Sequence, residues 1–105
     1  DSAKRRSRWA YQRLTRGWDD RATWSLDHHL CKTLGEQLIH LANTTHGWPQ
    51  SDLYPEFEDW DAALRFHGQR LLALAGNYDL GEHPEWDEAQ ESLHWVADNL
   101  RHLWD

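Results

Sequence analysis

Apolar residues recur at spacings of three and four along three stretches of this 105-residue chain. Leu26, Leu30, Leu34, Leu38 and Leu41 form the first stripe, which predicts a helix from Ser25 to Asn43. Phe57, Trp60, Leu64, His67, Leu71 and Leu74 form the second. Its helix is expected to start at Pro55 or Glu56 and to close at Gly76-Asn77, because proline suits a first turn and glycine an end. Trp86, Ala89, Leu93, Val96, Ala97, Leu100 and Trp104 cover about a third of the circumference of a third helix, Pro84 to Leu103. Upstream, residues 2–16 place Trp9, Ala10, Tyr11 and Leu14 among many arginines, which predicts a short surface helix stopped by Gly17. The loop after Asn43 carries two prolines and reads as ordered, pinned by Trp48, Leu53 and Tyr54; a second loop spans Tyr78 to His83. The expected fold is all-α, an antiparallel three-helix bundle with a short N-terminal accessory helix. Residues 1–16 form a basic N-terminal arm, and residues 17–105 a Trp-rich helical bundle domain.

Three residues sit awkwardly in this pattern. Asp27 falls inside the first leucine stripe, where a carboxylate needs a partner to offset lost hydration. Arg21 is the nearest candidate in sequence, and His67, mid-way along the second stripe, is the candidate across the bundle. Asp27 and His67 are therefore the expected structural polar core. Trp95 points away from the third stripe, among Glu88, Glu91, Asp98, Asn99 and His102, and is expected to form an interface. Thr23 or Ser25 can cap the first long helix through a hydroxyl.

Composition and charge sharpen the picture. Eight tryptophans supply large apolar surfaces for a small core. The net charge of −7 is divided unevenly: residues 1–16 hold six basic residues against Asp1, and the rest holds five basic against seventeen acidic. A basic arm on an acidic body suggests electrostatic contacts within or between chains, and the acidic body argues against nucleic acid as a partner. Cys31 is the single cysteine, which leaves no internal disulfide and fits a reducing compartment. No apolar run approaches the roughly 20 residues of a membrane span.

Catalytic patterns are sparse. His94, Asp98 and His102 recur every four residues, and Glu91-Ser92-Leu93-His94 is a lone Glu-x-x-His, whereas a di-iron bundle needs two copies and two more carboxylates. No glycine-rich phosphate loop and no serine elbow are present. No catalytic residue, metal site or cofactor is assigned. Binding chemistry is better represented: Trp18, Trp24 and Trp48 flank the ends of the first long helix, with arginines beside the first two. Flat aromatic faces with guanidinium forks suit a nucleobase and its phosphates.

Three segments then carry a resemblance. Asp19-Asp20-Arg21-Ala22-Thr23-Trp24-Ser25-Leu26-Asp27 is the most distinctive. Gly47-Trp48-Pro49 with Phe57-Glu58-Asp59-Trp60-Asp61-Ala62-Ala63-Leu64, and Leu93 to Leu103-Trp104-Asp105, complete it. Together they resemble a family of small phage and prophage helical proteins with a D-D-R-x-T-W-x-L-D motif. The match covers residues 17–105 and leaves the basic leader outside. Thr33-Leu34-Gly35 stands where such relatives carry a proline. The resemblance implies an all-helical phage protein of the host cytoplasm and brings no established catalytic residue or cofactor.

The expected function is a non-enzymatic binding protein, a homo-oligomer that sequesters a nucleotide-type defence signal or inhibits a host protein. Arg21 and Trp24 are the expected ligand-binding residues, with Trp18 and Trp48 as neighbours and Asp27 orienting Arg21. The alternative is a structural or interaction module of a phage particle without a small-molecule ligand. A metal-dependent hydrolase using the histidine-rich faces is a third class.

Overall fold

The computed structural model describes residues 2–76 and 84–104, so the expected loop at Tyr78 to His83 lies outside the described residues. The described residues are all-α and contain no strand. Helix α1 spans Ser2–Arg16 and the single turn α2 spans Arg21–Trp24. The long helices are α3 (Leu26–Thr44), α4 (Phe57–Ala75) and α5 (Pro84–Asp98), followed by a 3-10 turn at Leu100–His102.

Local chemistry explains these limits. Gly17 ends α1 with φ at +85°, a conformation that glycine adopts without strain. Ser25 separates α2 from α3 in a non-helical conformation and makes no side-chain cap, and the Thr23 hydroxyl donates back to the Asp20 carbonyl at 2.9 Å. Neither hydroxyl therefore caps the long helix. A capping box opens α4: the Glu56 side chain accepts from the Asp59 backbone, and Asp59 accepts from the Glu56 N–H at 3.3 Å.

Helix α4 is the central element, with α3 packed along one side and α5 along another. Its Trp60, Leu64, Leu71 and Leu74 are buried with Cys31, Leu38 and Ala42 of α3 and Ala89 of α5. The seam between α3 and α4 is a backbone contact. A Cβ on Gly35 would lie 2.8 Å from the Gly68 carbonyl oxygen, and one on Gly68 would lie 3.0 Å from that of Gly35. This approach turns α3 so that Cys31, Gly35, Leu38 and Ala42 face inward, while Leu26 and Leu30 stay exposed. Asp27 goes outward with them. Its side chain is 47% exposed and lies 3.9 Å from His28, so it is not part of a polar core.

The other face of α4 meets an aromatic layer. Trp95 packs on Trp60 with ring centroids 5.4 Å apart and stacks on His67 at 4.3 Å. Its indole N–H donates to the Tyr54 hydroxyl at 2.7 Å. Trp95 is thus half-buried inside the molecule and is not the free contact surface its place on the helical wheel suggests. The inward arc of α5 runs through Ala89, Ser92 and Trp95, because Tyr54 and His67 offer the indole both a polar partner and a face. Helix α5 stops at Asp98, which leaves Leu100 and Trp104 exposed.

The long loop is held from within. The Trp48 indole donates to the Pro55 carbonyl at 3.2 Å and meets Phe57 edge-on, and Tyr54 meets Trp60 edge-on. Leu53 takes no part and stays exposed.

Candidate ligand cleft around Asp19

Asp19 is the organising residue at the N-terminal end of the molecule. It is buried, and a buried carboxylate is tolerated only when charged donors replace water. Arg21 supplies two of them, Nε to Oδ1 at 3.1 Å and a terminal nitrogen to Oδ2 at 2.9 Å. The Arg21 backbone N–H adds a third bond to Oδ1 at 3.0 Å, a local turn that aspartate favours two residues before its donor. Arg13, reaching over from α1, donates to Oδ2 at 2.7 Å. The Arg21 bonds hold the Asp19 carboxyl well below the usual carboxylate range; desolvation opposes them and Arg13 reinforces them.

A second tier repeats the idea nearer the surface. The Gln12 side-chain oxygen accepts the Asp20 N–H at 2.8 Å, and Arg16 donates to the Asp20 carboxylate at 3.0 Å. Gln12 and Arg16 lower the Asp20 pKa. Two cation–π contacts complete the cluster, with Arg16 over Trp18 at 3.8 Å and Arg21 over Trp9 at 4.2 Å. Helix α1 is therefore fastened through its C-terminal half, by Trp9, Gln12, Arg13 and Arg16.

Between this cluster and α3 lies an open cleft of about 800 Å³. Arg13, Trp18 and Arg21 line one side; His29, Lys32 and Thr33 of α3 line the other, with Asp19 between. Three permanent cations face one carboxylate, a local excess of positive charge on a chain of net charge −7. Among the described residues Lys32 has no ion-pair partner, and the Asp19 bonds leave both guanidinium groups with N–H donors to spare. An indole face beside several convergent cations can accept a flat ring that carries anionic groups.

The expected site residues divide here. Arg21 and Trp18 meet at the cleft. Trp24 is highly exposed and turns to Trp9, edge-on at 5.7 Å. Trp48 lies beyond the far end of α3, whose 19 residues extend roughly 28 Å. Asp27 does not orient Arg21; Asp19 does, since the turn through Ser25 separates Arg21 from the start of α3. Asp19, Arg13, His29 and Lys32 were not singled out from sequence. An aspartate two residues before an arginine at a helix start was the available signal for Asp19, and the i, i+3 spacing of His29 and Lys32 the signal for the opposite wall.

His67 belongs to a different place. Its Nδ1 lies 2.9 Å from the Ser92 hydroxyl, not near Asp27, and burial with the Arg70 charge lowers its pKa. Ser92 is fully buried. His94, Asp98 and His102 lose their common face where α5 gives way to the 3-10 turn. Among the described residues no group of three or more His, Cys, Asp or Glu side chains could hold a metal ion. No described helix is long and apolar enough to cross a membrane. No protein-family model, curated protein or solved structure matches this chain.

Proposed function

We propose that this chain is a non-enzymatic binding protein that sequesters a nucleotide-type anion in the cleft beside Asp19. The observation that carries this reading is Lys32, without an ion-pair partner among the described residues, facing Arg13, Arg21 and Trp18 across an open cleft. Trp18 offers one ring face to a base, the other being covered by Arg16. Lys32 and His29 reach the phosphates, and Asp19 holds Arg13 and Arg21 ready with little further ordering on binding. In this reading α3, α4 and α5 are a three-helix bundle and α1 is an accessory helix that supplies one wall of the site. Phage or prophage origin, and action in the host cytoplasm, follow from the D-D-R-A-T-W-S-L-D resemblance.

Isothermal titration calorimetry of the full chain against a panel of mono-, di- and cyclic nucleotides tests the proposal. Binding of at least one member, lost in Lys32→Glu with the helical circular dichroism unchanged, is the expected result. Absence of heat across the panel would overturn it. It would favour the alternative of an interaction module of a phage particle, in which Arg13, Asp19 and Arg21 only lock α1 to the bundle.

A further inference from the structure

Helix α1 has two faces and uses one. Trp9, Gln12, Arg13 and Arg16 bind the Asp19–Arg21 segment, whereas Tyr11 and Leu14, three residues apart on another face, are 67% and 87% exposed. No residue of α1 is buried, and residues 2–8, with Lys4, Arg5, Arg6 and Arg8, are all exposed. A helix of 15 residues is marginal in water without a packed face. Exposed apolar side chains flanked by cations on such a helix mark a contact surface.

A complementary surface lies at the N-terminal end of α3, the same end to which α1 is fastened. An apolar groove of about 320 Å³ opens between α3 and α5, lined by Leu30, Cys31, Leu74, Trp86 and Leu93, with Asp27 on its edge. Leu30 and Trp86 are both exposed there, as is Leu26 one turn earlier. Asp87 and Glu88 follow Trp86 on the solvent side of α5. Among the described residues Asp27 has no lysine or arginine partner, and its ion-pair contact is to His28.

We infer that α1 of one copy docks its Tyr11–Leu14 face into the Leu30–Trp86 groove of a second copy, and that the second copy reciprocates. Charge selects this occupant. Residues 1–16 carry +5 and residues 17–105 carry −12, so arm and body attract across copies, whereas a nucleic acid would meet mostly negative surface. The apolar pair provides what charge cannot, a desolvated anchor in a pocket. Arm anchor and groove lie at one end of the molecule, so a two-fold axis there joins both pairs and closes the assembly at two. The Arg13–Asp19 bond fastens the C-terminal half of α1 beside the cleft, and no residue of α1 lines the groove of its own chain. Dimerisation of this kind needs no ligand, and its test is separate from that of the cleft.

The test is light scattering after size exclusion of the full chain over a range of concentrations and salt. A dimer that weakens as salt rises is expected. Leu14→Glu on the arm and Leu30→Glu in the groove should each weaken it by about tenfold or more, the effect of losing one interface anchor. Both positions are exposed, circular dichroism checks that both variants fold, and Leu53→Glu in the loop is the neutral control. Mixing the two variants restores one intact arm and groove and should return a heterodimer weaker than the parent. A protein monomeric at every concentration, or a dimer indifferent to Leu14→Glu, would overturn the proposal. So would a monomer that binds duplex DNA or phosphatidylserine vesicles through α1.

Discussion

Gly35 and Gly68 meet backbone to backbone, each occupying the space where the other would place a Cβ. Glycine inside a helix costs about 1 kcal/mol relative to alanine, so two such residues at one crossing indicate that the close approach matters more than local helix strength. The prediction is direct. Gly35→Ala forces its methyl against the Gly68 carbonyl and the Leu72 side chain at 2.8 Å, and backbone cannot yield as a side chain can. Overpacking of this kind costs about 1–3 kcal/mol. Calorimetry should show a melting temperature lowered by about 4–8 °C for each kcal/mol. Gly76→Ala, with φ at −83° and nothing nearer than 3.6 Å, should leave it unchanged or slightly raised.

Stability should respond to pH in two separate windows. The folded protein holds His67 below its ordinary pKa, chiefly through burial. As pH falls below about 6.5, the unfolded chain protonates this histidine before the folded chain does, and stability declines toward the lowered folded pKa. Asp19 and Asp20 are depressed carboxylates, so their contribution is complete above about pH 4 and is lost as pH falls further. Melting temperature against pH should show both declines, and His67→Gln should remove only the first.

Asp19→Asn tests the hub itself. The amide keeps the shape and loses the charge that gathers Arg13 and Arg21. Melting temperature should fall, and limited proteolysis should cleave between α1 and α3 sooner than in the parent. Unchanged proteolysis would show that the two guanidinium contacts do not hold α1 in place.

Cys31 should be a silent thiol. It is buried, and desolvation, with the Asp27 charge adding to it, pushes its pKa up. Since the thiolate is the reactive form, Ellman's reagent should label native protein at least about tenfold more slowly than protein in guanidinium.

Much of the architecture was legible from spacing alone. The three long helices and the surface helix at 2–16 follow from apolar period, glycine and proline, and the predicted bounds of α3, Ser25 to Asn43, fall within a residue of Leu26–Thr44. Helix rotation was less legible. A wheel counts side chains, whereas α3 and α4 are set by two glycines that have none, and this is why Asp27 faces solvent and Cys31 the core. Trp95 was misplaced because its partners, Tyr54 and His67, stand 41 and 28 positions away in the chain, beyond any local pattern. At the cleft, Arg21 and Trp18 were visible as an arginine beside an aromatic. Asp19 was not, because burial of a charge depends on which donors the fold delivers, and Arg13 arrives from another helix.

The tryptophans range from Trp60, 1% exposed, to Trp104, 72% exposed. The emission spectrum of the native protein is therefore a composite, blue from the aromatic layer and red from the surface indoles. Trp18 contributes to the red component at the cleft, and Trp95, stacked on His67, to the blue. If an anion enters the cleft, the first component should shift, whereas a proton on His67, an imidazolium against an indole face, should quench the second. The two indoles thus report on separate sites, which can be followed by colour in a single unlabelled sample.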